Sequence, residues 1–140
     1  MTIEPFGKIE YQSKDNQWFG LVNNIAPNNR VELAISVDNS NRDINNYIES
    51  IKQFVIDYKS VMTQLYELAF QKYKSSPWEK PLDEIKEMYF LTSVLLMKDN
   101  KTWWLVLEPD CEVETIYNHF LRFTMIGRKI DWANFNSDSI

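Results

Sequence analysis

Four carboxylates alternate along Glu108, Asp110, Glu112 and Glu114, and two tryptophans, Trp103 and Trp104, stand just before them. In an extended segment alternate residues share one face, so these carboxylates would project together. Three kinds of chemistry use such a row: oxygen ligation of a divalent cation, paired acid and base work, and docking of a basic partner. A calcium loop needs a central glycine, and this run has none. Like charges at this spacing repel, and a solvated loop relieves them most simply. Docking to a protein partner is the functional reading kept for Glu108, Asp110, Glu112, Glu114, Trp103 and Trp104. The adjacent tryptophans point to opposite faces of a strand. One belongs in a core against a helix; the other faces outward or lies under a loop, where tryptophan is enriched among residues that dominate binding energy.

His119 and Cys111 are the only residues of their types. Their spacing matches no signature of a nucleophile and its base. A second reading joins Glu108, Asp110 and His119 in a small ligand-binding domain or hydrolase. One cysteine makes neither an intramolecular disulfide nor a thiolate-rich metal site. Three glycines, at positions 7, 20 and 127, build no phosphate-cradling loop, and no zinc pattern or nucleophile elbow is present. The expectation is therefore no catalytic residue, no metal and no cofactor. A formal charge of −5 argues against nucleic acid, whose binders need a basic footprint. It suits a basic protein partner. No basic segment followed by an apolar run opens the chain, and no apolar stretch approaches the roughly 20 residues of a membrane span. The lone cysteine fits a reducing compartment. These features predict a cytoplasmic protein with no membrane partner.

The elements that must position these residues follow from periodicity. Phe6 to Gln12 and Trp18 to Val22 read as short strands joined by the polar turn Ser13-Lys14-Asp15-Asn16. Val31, Leu33, Ile35 and Val37 alternate with Glu32, Ala34 and Ser36, which makes a half-buried strand. Ser40 and Asp43 resemble a capping box. From there Ile44, Ile48, Ile51, Val55, Tyr58, Met62, Leu65 and Ala69 recur at spacings of four and three, one helical stripe from about Asn41 to Lys74. At 1.5 Å per residue such a helix is about 50 Å long, more than a domain of this size spans. It should kink near Ser60 or Thr63, or project. A projecting second half would expose Tyr66, Phe70 and Tyr73 and offer a homodimer surface. Pro81 opens a short helix from Leu82 to Met88. Phe90 to Met97 and Trp103 to Leu107 read as a hairpin turning near Asp99-Asn100, and Phe120 to Ile126 and Ile130 to Phe135 as further strands.

The runs Phe6-Gly7-Lys8-Ile9-Glu10-Tyr11, Trp18-Phe19-Gly20 and Val31 to Asp38, leading into a long helix, resemble a group of small bacterial domains. Those domains occur beside polymorphic and contact-dependent toxins, and some are proposed immunity proteins. The pair Phe90 to Met97 and Trp103 to Leu107 fits the same layout. Such domains often carry a Trp-acidic-His-Gly stretch, which Asp110 to His119 replaces here. The resemblance transfers no site residue. It implies a non-catalytic binding role, here neutralising a toxin by direct binding; the acidic composition suits a basic toxin domain. The reading is one α+β domain over residues 1–135 with a frayed tail, 136–140. About six strands in an antiparallel sheet, ordered β-β-β-α-α-β-β-β, carry one long helix on one face.

Overall fold

The structure is a computed structural model, and it describes residues 2–3, 7–26, 29–38, 40, 42–77, 79–109 and 120–133. The architecture is α+β, a seven-stranded, mostly antiparallel sheet with one long helix. Its strands in chain order are β3 (Glu10–Gln12), β4 (Gln17–Ala26), β5 (Asn29–Ser36), β6 (Tyr89–Leu96), β7 (Thr102–Pro109), β8 (Leu121–Ile126) and β9 (Lys129–Trp132). They lie side by side in that same order. Two further short strands, β1 (Thr2–Ile3) and β2 (Gly7–Lys8), form a separate antiparallel pair. The run expected as one strand from Phe6 to Gln12 is therefore split at Ile9 between two sheets.

All neighbours in the large sheet are antiparallel except β5 and β6. Between those two the chain makes its helical excursion through α1 (Ile48–Tyr73) and α2 (Leu82–Met88). A parallel neighbour needs such a long crossover, whereas each antiparallel step needs only a short turn. The crossover gives the sheet one parallel seam, and the sheet has seven strands against the expected six or so.

The helix begins later than the periodicity suggests. The segment around Asp43, Asn45 and Asn46 is rich in side chains that compete with helical backbone bonds. Asp43 accepts from the Asn45 amide at 3.0 Å and caps a 3-10 turn at Ile44–Asn46. Ser40, expected in a capping box, instead donates its hydroxyl to Asp38 at 2.7 Å. From Ile48 the helix runs 26 residues without a break, or about 39 Å at 1.5 Å per residue. The Thr63 hydroxyl donates back to the Lys59 carbonyl at 2.9 Å, which satisfies it without interrupting the ladder. The helix stops where Ser75 adopts φ 66° and the Ser76 hydroxyl donates to the Tyr73 carbonyl at 2.6 Å.

The core lies between α1 and one face of the sheet. Ile51, Leu65 and Ala69 of α1 are fully buried, as are Leu33, Ile35, Val94, Leu105 and Phe123 on the strands. Each large aliphatic side chain so buried contributes about 1.5–3 kcal/mol. Tyr73 is buried and Tyr66 and Phe70 pack against the core, so the second half of the helix has sheet to cover and does not project. Tyr66 also donates its hydroxyl to the Tyr89 carbonyl at 2.7 Å, tying α1 to the start of β6.

Candidate functional site

Strand alternation sorts the functional candidates. On β7, Trp103, Leu105 and Leu107 are buried while Trp104, Val106 and Glu108 are half-buried. Trp103 is 6% exposed and its ring lies 4.7 Å from that of Phe54 on α1. It belongs to the core. Trp104 points to the opposite face, and Glu108 lies on that same face four residues along. The two tryptophans divide as alternation requires. Asp110, Glu112, Glu114, Cys111, His119 and Trp78, and the tail 136–140, lie outside the described residues.

Register extends the Trp104 face across the sheet. Phe19 pairs with Ala34, Ala34 with Leu95, Leu95 with Trp104, and Trp104 with Thr124. This row crosses five strands and is apolar at four of its five positions. Beside it, Phe90 pairs with Glu108, and Phe120 precedes β8 on the same side as Arg122, whose guanidinium carbon lies 5.8 Å from the Phe120 ring. Among the described residues five large hydrophobic side chains are exposed. Four of them sit on this face: Leu21 at 50%, Phe90 at 39%, Phe120 at 44% and Ile126 at 59%. The fifth, Ile56, is on α1. Scattered exposed apolar residues are ordinary; these four share one sheet face, at positions spread from β4 to β8. Both described helices pack on the other face, the one carrying Trp103.

The electrostatics of this face are mixed. Glu10 is paired with Lys8 at 3.0 Å, and that lysine lowers the Glu10 pKa. Lys129 is 3.9 Å from Asp131. Among the described residues acidic and basic side chains number fifteen each, so the chain's net charge equals the five carboxylates of Glu4, Asp110, Glu112, Glu114 and Asp138. Three of those follow Pro109 within five positions. The excess charge is thus concentrated in sequence next to the end of β7, where Glu108 lies between Phe90 and Phe120.

A second concavity lies on the other side of the molecule, between α1 and the β8–β9 hairpin. One cavity of about 110 Å³ is lined by Asp57, Ser60, Val61, Gln64, Met125, Gly127 and Arg128. Another of about 330 Å³ is lined by Thr63, Gln64, Glu67, Leu68 and Ile130. The apolar floor comes from core residues at the margin of the sheet. Lys72 closes the far end, its amine 4.4 Å from the centre of the Trp132 ring. Burial pushes the Lys72 pKa down.

Sequence reasoning singled out Trp104 and Glu108 but not Phe90, Phe120, Leu21 or Ile126. Each of those four reads as a strand residue, and only register shows that they share a side. The groove beside β9 left no local signal at all. Among the described residues no group of three His, Cys, Asp or Glu side chains could hold a metal ion, and no described helix is long and apolar enough to cross a membrane. No family model, no curated protein and no solved structure matches the chain.

Proposed function

We propose that this protein is a non-catalytic binding module whose partner is another protein, docked on the sheet face around Trp104. The observation that carries the reading is the gathering of Leu21, Phe90, Phe120 and Ile126 on that one face. A large aromatic at the centre of an apolar patch with polar margins is the composition of a binding hot spot. The partner is basic, because the excess carboxylates follow Glu108 directly in the chain, and complementary charge speeds association and sets orientation. Its resemblance to domains beside bacterial toxins gives the particular form of the proposal: an immunity protein that works in the cytoplasm and neutralises a basic toxin domain by covering it.

The test is co-purification with the product of the neighbouring gene, followed by binding measurements on variants. Trp104→Ala should weaken the complex by about 30-fold or more, the scale of a hot-spot residue. Phe90→Ser and Phe120→Ser, at exposed positions, should each weaken it with folding intact. Ile56→Ser on α1 should leave it unchanged. Absence of a complex with any neighbouring product, together with no protection of cells that express the toxin, would sink the proposal. A complex insensitive to Trp104, Phe90 and Phe120 would move the interface elsewhere.

A further inference from the structure

The edge of the sheet at β9 has a geometry independent of the Trp104 face. β8 and β9 are joined by Gly127-Arg128, with Gly127 at φ 63°. Positive φ at Gly127 without positive φ at Arg128 is the II′ hairpin. The flanking pair, Ile126 and Lys129, is then the first hydrogen-bonded pair, and pairs alternate from there. Thr124 and Asp131 are hydrogen-bonded, and the Ala133 amide donating to the Arg122 carbonyl at 3.0 Å continues the series. The intervening residues, Ile130 and Trp132, therefore turn their backbone N–H and C=O groups away from β8. Among the described residues β9 has no strand on that side. Such a row is a template for another strand.

The side chains of Ile130 and Trp132 point to the α1 side, so the free backbone groups border the groove. The groove is divided into two cavities. Their α1 linings, Asp57 to Gln64 and Thr63 to Leu68, are centred about five residues apart, which is about 7.5 Å along a helix. Alternate side chains of an extended strand are spaced by about 6.7 Å. The smaller cavity is mixed, with Ser60, Gln64 and Arg128 beside Val61 and Met125; the larger has Leu68 and Ile130. The charges bordering the groove balance. Asp57 and Glu67 accept from Gln53 and Gln71 at 3.1 and 3.0 Å, and Arg128 and Lys72 oppose them in sign. A charged segment would meet its like as readily as its opposite, which favours an uncharged one.

We propose that the groove between α1 and β9 captures an extended, uncharged peptide segment as an added strand, with a short polar side chain in the smaller cavity and a bulky apolar one two residues away in the larger. Main-chain bonds to Ile130 and Trp132 supply affinity and the two cavities supply selectivity, the division of labour found in strand addition generally. Four residues in β9 limit the added strand to about that length.

The probe is a displayed library of uncharged heptapeptides selected on the full chain, with the enriched peptide then synthesised. Enriched sequences should place a bulky apolar residue two positions from a small polar one. Amide exchange read by NMR should show Ile130 and Trp132 exchanging faster than Lys129 and Asp131 in the free protein, and becoming protected when the peptide is added. Thr63→Arg, an exposed helix position that lines the larger cavity, should reduce affinity at least tenfold. No enrichment over an unrelated protein, binding that leaves those two amides unprotected, or binding unaffected by Thr63→Arg would each overturn the proposal. Trp104 variants should bind the peptide normally, which separates this surface from the one proposed above.

Discussion

Asn100 joins two parts of the chain that are distant in sequence, and its replacement gives a quantitative test of how α1 is anchored. It lies in the β6–β7 turn at φ 61°. Its carbonyl oxygen accepts from the Ser50 hydroxyl at 2.7 Å, and its amide donates to the Asn46 carbonyl at 3.0 Å. One side chain thus holds both the 3-10 turn and the first turn of α1 to the hairpin. Each bond contributes about 0.5–1.5 kcal/mol. A left-handed conformation costs an ordinary residue about 1–2 kcal/mol, and Asn tolerates it better than most. Asn100→Ala removes both bonds and adds strain, for a loss of about 2–4 kcal/mol. Asn100→Gly also removes both bonds but fits the backbone, so its loss is about 1–3 kcal/mol before the cost of greater chain entropy is added. Urea unfolding followed by tryptophan fluorescence measures this directly. With a slope of about 2 kcal/mol per molar, the Ala variant should lower the midpoint by about 1–2 M. If Gly matches the wild type while Ala does not, only backbone conformation matters and the anchoring argument fails. If both match the wild type, neither term is real.

Gly20→Ala should destabilise the protein, because an added Cβ would stand 2.6 Å from the Lys8 carbonyl oxygen and 3.2 Å from Ile9; the backbone of β2 must shift, and a lowered melting temperature with loss of about 1–3 kcal/mol is expected. Trp103→Ala should cost about 3–5 kcal/mol, the range for a large core aromatic, and Trp104→Ala clearly less, a contrast that chemical denaturation reads. At high pH four tyrosines should resist ionisation: burial raises the pKa of Tyr47, Tyr58 and Tyr73, and that of Tyr66 to about 12. A raised folded-state pKa means that the unfolded chain loses its protons first, so the stability these groups contribute is complete below about pH 10 and is lost as pH rises towards 12. Absorbance at alkaline pH should show part of the tyrosine signal titrating late, together with unfolding; a single unperturbed transition would contradict it.

The class of fold was legible because it depends on local periodicity. The stripe from Ile48 to Ala69 and the alternation from Val31 to Val37 each report one element facing one core. Leu82–Met88 and the turn at Asp99-Asn100 were legible for the same reason, as proline and turn chemistry act within a few residues. The helix start was misplaced because Ile44 and Tyr47 continue the apolar spacing although they lie in a 3-10 turn and its boundary. Hydrophobic periodicity records burial, and both residues are buried, but it does not record which helix type buries them. The expected break at Ser60 or Thr63 rested on length alone; removing the first turns from the helix shortens it enough to lie along the sheet. Which strand borders which was not legible, and neither was the face shared by Phe90, Phe120 and Leu21, because both depend on register between segments far apart in sequence.

That dependence separates the two surfaces in kind. Among the described residues the helices α1 and α2 occupy one face of the wide sheet, and alternation leaves Phe19, Leu95, Trp104 and Val106 on the other. Apolar side chains there do nothing for the core beneath α1, so a fold under selection for stability alone would place polar residues at the exposed positions of Leu21, Phe90, Phe120 and Ile126. Contact with the partner proposed above would account for them. If the partner is basic, its association rate should fall steeply as salt rises, because the excess carboxylates after Pro109 act at long range. Trp104→Ala should instead act on the dissociation rate and leave the salt dependence unchanged, since it removes short-range burial. A partner whose association rate is indifferent to salt would detach the acidic run from binding and leave the apolar face to account for the interaction alone.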